Sequence, residues 1–465
     1  MKISFAGWSM ENIAGYEYLK KIYGADFRNF EITIHNESPA SNIPDEQNIK
    51  LKCLEGERPV GLVGKVTDLS YFDGVEDADL IIYQPTTAKN LEKKYGIDSP
   101  IWLKAKTIQH LFFENCPTNN IVGVTGTKGK GTTTTLISKM IEANGSKIHV
   151  GGNIGIPTIS FIDEIKPQDW VILELSSFQL YRFPYSPHIA VHLMMMPEHI
   201  EEWHKTMDDY VEAKRNIFAH QTEEDFAVYY PANKFSRDNV QASAGKHIPY
   251  TEAPGAFLDI DGNIQINGQK IVHRSELKLL GDHNIQNVCA AVTAAWQVHQ
   301  NIQALRQVLT SFSGLEHRLE LAGKINDVKY YDDSFGTTPD TAIVAMDAFV
   351  EPKIMIVGGH DKGNPMEAMA ARLAGQDIKH IVFIGSTGQK LLEMAKAAGL
   401  DENKATIRED GNSWTMPEVV KVAQEKAEPG DIVLLSTGCA SFGLFQDYKD
   451  RGRQFHEAVK AAGAV

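Results

Sequence analysis

Cysteine is scarce. Cys53, Cys116, Cys289 and Cys439 are the four in 465 residues, and no two form C-x-x-C. That excludes a disulfide framework or a zinc knuckle as the organising device and suits a reducing compartment. Positive charge is also short: 46 Lys and Arg face 60 Asp and Glu, for a formal net charge of −14. Such a chain does not hold nucleic acid by bulk attraction, and an anionic ligand needs a locally positive pocket. Long apolar runs are missing, since no stretch approaches the roughly 18 residues that span a bilayer. The opening MKISFAGWSMENIAG carries too short an apolar run for a signal peptide. It also lacks the G-x-G-x-x-G of a dinucleotide fingerprint after Gly7. Internal repeats and low-complexity segments are absent. What remains is a soluble, cytoplasmic enzyme with no nucleic-acid or membrane partner, in about three domains at roughly 150 residues each.

What is present is alternation. Residues 2–6, 30–35 and 78–83 read as strands separated by helical patterns, the signature of a parallel α/β sheet. A boundary falls near residues 104–117. Strands follow at 121–125, 170–175 and 188–194, then a hairpin-like insert at 256–272 with the turn signals IDGN and NGQK. From Gly314 the pattern is regular, with strands at 329–332, 353–357, 380–384 and 431–436. Helices are expected at 339–349, 365–374, 388–398 and 442–462. The expected fold is α/β in three domains: 1–113 and 314–465 Rossmann-like, and 114–313 a P-loop-type domain with a mostly parallel sheet.

The most informative segment is IVGVTGTKGKGTTTTLISKMI at 121–141. A hydrophobic strand runs into a glycine-rich loop, and a helix follows. Glycines let backbone N–H groups converge on an anion, and the helix N-terminus adds donors and its dipole. Gly126, Thr127, Lys128, Gly129, Lys130 and Gly131 would cradle phosphate, with Lys130 on the β/γ-phosphates. Thr132 or Thr133 must supply a Mg²⁺ hydroxyl, because Gly131 stands where the hydroxyl usually follows the lysine. The strand WVILE ends in Glu174, where α/β sheets bind ligands, so this carboxylate can face the same metal. Downstream, His199 follows an apolar strand and Lys214 lies on an amphipathic helix. Spacing alone leaves both open: a loop histidine or a ligand, a solvated helix face or a functional lysine. His204 reads as structural.

These segments, taken together, resemble the Mur ligases. The resemblance is carried by GTKGK (126–130), GGNIGIP (151–157), ELSSFQL (174–180), PEHIEEWH (197–204), EAK (212–214), GDHNIQN (281–287), GLEHRLE (314–320), YDDS (331–334) and GCASF (438–442). Within that family the glutamate-adding members are most similar. The resemblance implies an ATP-dependent amide ligase of cytoplasmic peptidoglycan-precursor synthesis. It would add D-glutamate to UDP-N-acetylmuramoyl-L-alanine through an acyl-phosphate, as a monomer.

By motif position, Lys130 resembles the phosphate lysine, and Thr132 and Glu174 one Mg²⁺ site. His199 resembles a ligand of a second Mg²⁺, and Lys214 the lysine carbamylated beside it. Asn284, Asn287, Arg318 and Asp333 resemble contacts to adenine, ribose and phosphates, and Asn153, Ser176 and Gln179 contacts to the muramoyl substrate. Ser9, Asn36 and Ser38 sit at strand ends where the uridine end would bind, with Gln84 and Thr86 beside them. Thr337, Lys362, Ser441 and Tyr448 are candidate acceptor contacts.

Two departures stand out. Gly131 followed by Thr132 resembles the folylpolyglutamate synthases, and Phe335 replaces a lysine that would pair with an acceptor carboxylate. The rival readings are therefore the same chemistry with L-glutamate or another amino acid, a folylpolyglutamate synthase-like ligase, and a P-loop ATPase switch. A nicotinamide-dependent oxidoreductase is disfavoured by the missing fingerprint.

Overall fold

The computed structural model describes every residue except 38–42, 47, 55–67, 154–155, 199, 201–202, 280–282, 361–365, 409–413, 442 and 465. The first sheet contains β1 (Lys2–Ala6), β2 (Glu31–His35), β3 (Ile49–Lys52), β4 (Leu80–Tyr83) and β5 (Ala105–Lys106). Its order is β3-β2-β1-β4-β5 and every pairing is parallel, a doubly wound arrangement. The helices around it are α1 (Met10–Tyr23), α2 (Ala88–Tyr95) and α3 (Ile108–Asn115).

The second sheet contains β6 (Ile121–Thr125), β7 (Ile148–Gly152), β8 (Trp170–Glu174), β9 (Ile189–His192), β10 (Phe226–Tyr229) and β11 (Lys246–Pro249). It is parallel throughout, in the order β11-β10-β9-β6-β8-β7. Its central strands β6, β8 and β9 are almost wholly buried, as apolar strands covered on both faces must be. Helices α4 (Lys130–Glu142), α5 (Ser177–Leu180), α6 (Met207–Arg215) and α7 (Lys234–Asn239) follow its strands. The expected insert is a three-stranded antiparallel sheet of β12 (Phe257–Leu258), β13 (Asn263–Ile266) and β14 (Gln269–His273). Then α8 (His283–Val298) packs on α4, and α9 (Ile302–Ser311) follows.

The third sheet contains β15 (Glu320–Ile325), β16 (Val328–Asp332), β17 (Lys353–Val357), β18 (Ile378–Phe383), β19 (Ala405–Thr406) and β20 (Ile432–Leu435). Its order is β15-β16-β20-β17-β18-β19, parallel except for the β15–β16 hairpin. Its helices are α10 (Pro339–Asp347), α11 (Glu367–Leu373), α12 (Gly388–Ala397), α13 (Met416–Lys426) and α14 (Tyr448–Ala461).

The chain is thus α/β with mostly parallel sheets. It divides into two compact units, one running to Phe312 and the other from Ser313. Within the first unit a single apolar cluster joins the first two sheets, from Ile3 and Ile82 through Phe112 to Phe161 and Leu173. Two clusters cover the two faces of the third sheet.

Three sequence expectations change. Strand β15 was not anticipated; its residues alternate only weakly in burial and include Gly323, so the pattern is faint. The strand expected at 78–83 starts only at Leu80, because residues 75–77 form a 3₁₀ turn. The last helix starts at Tyr448 rather than 442, with the Asp447 side chain capping it. Among the described residues no helix is long and apolar enough to cross a membrane.

Candidate active site

Strand β6 delivers the chain to a loop that only glycine tolerates. Gly126 has φ +147° and Gly129 φ +88°. A Cβ on Gly126 would sit 2.7 Å from the Leu193 Cβ, and one on Gly129 2.2 Å from Asn287 Oδ1. Helix α4 starts at Lys130, so its first N–H groups open on the loop. Lys130 Nζ donates to the carbonyls of Gly126 (3.1 Å) and Thr127 (2.9 Å), which lays its charge over the loop. The Lys128 side chain is exposed, and Gly131 and Thr132 are half-buried. Thr133 is buried and its Oγ1 has no hydrogen-bond partner. The Thr127 hydroxyl donates to Met196 O at 3.0 Å and lies 3.0 Å from the Tyr210 hydroxyl, pinning the loop to the segment after β9.

Parallel register brings the carboxyl ends of the strands together. Glu174 pairs with Val124 on one side and Gly152 on the other. Gly152 has φ +93°, and a Cβ there would lie 2.2 Å from the Glu174 carbonyl oxygen. Asn153 Nδ2 donates to Glu174 Oε1 at 2.8 Å, orienting a buried carboxylate. Lys214, on α6, is 1% exposed. Its Nζ donates to Thr125 Oγ1 (3.1 Å) and Gly126 O (2.9 Å) and lies 5.0 Å from the Tyr210 ring centre. Burial drives its pKa well below the usual lysine range, and the Lys130 charge adds to this, while Glu198 and Glu174 oppose it. The solvated-face reading of Lys214 is therefore wrong: α6 turns this residue inward. Glu174 and the Thr132 and Thr133 hydroxyls are hard oxygen donors of the kind Mg²⁺ takes, and Thr133 Oγ1 is buried with no hydrogen-bond partner of its own.

In the second unit, Asp333 follows the end of β16 and is buried. Ser436 Oγ donates to its Oδ2 at 2.7 Å, yet burial pushes its pKa up to about 7. Its neighbour Asp332 goes the other way. Burial opposes ionisation there, but hydrogen bonds with His317 and from Ser334, and the His456 imidazole close by, hold it well below the carboxylate range. The Arg318 guanidinium lies 5.6 Å from the Phe335 ring centre, and Phe335 meets the Tyr448 ring edge-on at 5.5 Å. Thr337 is half-buried and Ser441 buried.

Residues 124–295 match the Mur ligase middle domain and residues 317–439 the Mur ligase glutamate ligase domain. The chain belongs to the Mur ligase family. It is similar to the UDP-N-acetylmuramoylalanine--D-glutamate ligase of Clostridium kluyveri, 36% identical over 84% of each chain. It also resembles the ligase of that name from Clostridium tetani, 32% identical over 99% of this chain and 96% of that one. Among solved structures, the fold resembles MurF from Acinetobacter baumannii (TM-score 0.56, 18% identity, covering 75% of this chain and 78% of that one). It also resembles MurF from Thermotoga maritima in complex with ADP (TM-score 0.53, 15% identity, 99% and 95% covered). This chain is an ATP-dependent ligase of the Mur type.

The first unit of this Mur ligase brings Gly126–Thr133, Glu174, Asn153 and Lys214 to the carboxyl end of the second sheet. It also brings Asn287, whose Nδ2 donates to Asn284 Oδ1 at 2.8 Å. Ser176 and Gln179 are engaged with one another: each caps the other's backbone N–H at the start of α5. Gln179 Nε2 also donates to Glu11 Oε1 at 2.9 Å. Ser9 Oγ is buried without a partner just before α1, and the Trp8 backbone N–H donates to Asn36 Oδ1 at 3.0 Å. His204 is buried, with Nε2 2.9 Å from Ser177 Oγ, as a structural residue should be. His199, Lys362 and Ser38 lie outside the described residues.

Sequence reasoning missed Thr125, which receives the Lys214 amine and donates to Leu175 O at 2.7 Å. It also missed Arg451, fully buried on α14, which donates to Ser334 O (2.7 Å) and Cys439 O (3.1 Å). Burial lowers the Arg451 pKa to about 10. Arg451 ties the YDDS and GCAS segments together. A single arginine in a polar helix carries no sequence signal for that.

Proposed function

We propose that this Mur ligase joins D-glutamate to UDP-N-acetylmuramoyl-L-alanine in the cytoplasm, as a monomer, releasing ADP and phosphate. The observation that carries the reading is 32% identity over 99% of the chain to a ligase named for that reaction. A carboxylate is a poor electrophile, because oxide would have to leave. Transfer of the ATP γ-phosphoryl gives an acyl-phosphate, and the glutamate amine then displaces phosphate to leave an amide. Lys130 would sit on the β/γ-phosphates, with the loop N–H groups around them. Glu174 and Thr132, with the adjacent Thr133 hydroxyl, would hold Mg²⁺, which when bound supplies charge neutralisation at the transferring phosphoryl.

Lys214 suits carbamylation: a buried neutral amine can add CO₂, losing one proton, to give an anion. With His199 that anion would hold a second Mg²⁺. Asn284, Asn287, Arg318 and Asp333 are assigned to adenine, ribose and phosphates. Ser9, Asn36, Asn153, Ser176 and Gln179 are assigned to the nucleotide-sugar substrate. Residues 1–113 would serve that substrate, 114–313 ATP and 314–465 the acceptor, through Thr337, Lys362, Ser441 and Tyr448.

A second reading, L-glutamate or another acceptor, is favoured by Phe335 standing in place of a lysine. One assay separates them. The protein is given ATP, Mg²⁺ and UDP-N-acetylmuramoyl-L-alanine, then D-Glu, L-Glu, L-Lys or diaminopimelate in separate reactions. Phosphate release with D-Glu alone is the expected result; release with another acceptor moves the assignment, and none with any acceptor overturns it.

A further inference from the structure

The second unit contains a cluster of possible metal-ligand side chains, none of which is given a role in ligation above. His317 Nδ1 lies 2.7 Å from Asp332 Oδ2, and His456 Nε2 lies 3.3 Å from the same oxygen. Glu320 Oε2 lies 3.7 Å from His456 Nε2 and 4.0 Å from His317 Nδ1. All four residues offer a ligand atom within 4.8 Å of the others. The geometry points to a zinc-type divalent cation site made by His317, Glu320, Asp332 and His456.

Three observations carry this. First, the spacing fits. Bonds of about 2.0–2.2 Å in a tetrahedral shell give ligand-to-ligand edges of about 3.3–3.6 Å. Of the three longer separations, 3.3 Å matches that edge, while 3.7 and 4.0 Å exceed it by a few tenths of an ångström that the side chains would have to close. The shortest is the His317–Asp332 hydrogen bond, whose shared proton an ion would displace. Two imidazoles with two carboxylates form a borderline set that suits Zn²⁺ better than Mg²⁺.

Second, His456 Nε2 is buried and makes no hydrogen bond of acceptable geometry, despite the nearby Asp332 oxygen. Its ring is near the carboxylate but not aimed at it as a donor.

Third, the helix makes room. Gly452 lies one turn before His456 on α14, and a Cβ there would fall 2.2 Å from His317 Nδ1 and 2.5 Å from Asp332 Oδ2. A helix-interior glycine costs about 1 kcal/mol relative to alanine, and here it opens the floor of the cluster. A cleft of about 500 Å³ leads to it, lined by His317, Glu320 and His456, with Glu316, Asp447, Asp450 and Glu457 outnumbering Lys449 and Arg453. That acidic rim attracts cations and repels the anionic substrates of the ligase reaction. An ion here would tie β15, β16 and α14 together. It would thereby fix Arg318 and Asp333, the chain neighbours of two ligands. That consequence rests on the nucleotide roles proposed above; the site does not.

The test uses the full chain, chelator-treated, free of nucleotide and held in excess Mg²⁺. Co²⁺ is titrated in, and the visible absorption of four-coordinate cobalt is recorded. One equivalent should bind with an intense band that Zn²⁺ bleaches. His456→Ala should abolish the band, and Glu320→Gln should weaken binding by about tenfold or more. Glu174→Gln, in the first unit, should leave it intact. Only the weak spectrum of hydrated cobalt, or a band indifferent to both second-unit variants, or one lost in Glu174→Gln, overturns the proposal. If His456→Ala does not fold, Glu320→Gln at its half-exposed position decides the matter, with thermal denaturation as the folding control.

Discussion

Lys214 illustrates how strongly burial alters a side chain. On a surface its amine would be a hydrated cation; held under the phosphate loop, it is pushed towards the neutral amine by desolvation and by Lys130. It has a structural task as well, since its two hydrogen bonds tie α6 to Thr125 and Gly126. Lys214→Ala separates the two roles. Ligation should fall about 100-fold or more, as when a charge-stabilising group is removed from an active site. Short carboxylates such as acetate should restore part of it by supplying the missing anion. Full activity without rescue would exclude the carbamate, and loss that no carboxylate relieves would leave only the structural role.

Phe335 gives a second residue-scale prediction. It is 37% exposed, with Arg318 and Tyr448 against its ring. Phe335→Lys adds a cation where glutamate-adding relatives are expected to have one. The KM for the acceptor should drop about tenfold, the worth of one added charge-assisted hydrogen bond. An unchanged acceptor KM would mean that this loop does not touch the acceptor.

At the scale of elements, strand ends and helix starts build the first-unit site. The loop between β6 and α4 closes against α8 because Gly129 leaves space for Asn287 Oδ1. Gly129→Ala should therefore weaken ATP binding more than tenfold, since a left-handed backbone and a side-chain collision must both be relieved. Nucleotide titration checks this, and the melting temperature should fall by a few degrees, because the same strain of about 1–3 kcal/mol is carried by the folded state. Loop and helix start were both legible in the sequence, because a buried strand, glycines and a helix are local patterns. The hairpin β15–β16 was not, because its edge strand is half-exposed and nearly patternless.

At the scale of the whole molecule, buried histidines set the acid limit. In the first unit, burial lowers His35 and His110 to about 4 and His192 to about 3. The folded chain keeps them neutral, whereas the unfolded chain protonates them near pH 6.5. Stability should be intact above about 6.5 and decline as pH falls towards about 4, by up to about 1.4 kcal/mol per pH unit for each histidine. Urea midpoints measured at pH 7.5, 6.0 and 5.0 should fall in that order, less steeply than the histidines alone would give because Asp333, His317 and His456 gain stability as they take up protons, and a rising series would refute the buried neutral state.

The sequence by itself determined the α/β class, the glycine-rich loop between β6 and α4, the acid at the end of β8 and the family, because each is written in a short run of contiguous residues. Tertiary structure decided what those runs could not. It chose the inward face of α6 for Lys214 and made Ser176 and Gln179 partners of each other. It buried Arg451 between two distant segments, and it gathered His317, Glu320, Asp332 and His456 from a loop, two strands and the last helix. The physical reason is the same in each case. Local patterns record which residues avoid water, but the neighbour that completes a hydrogen bond or a ligand set is supplied by packing between segments far apart in the chain.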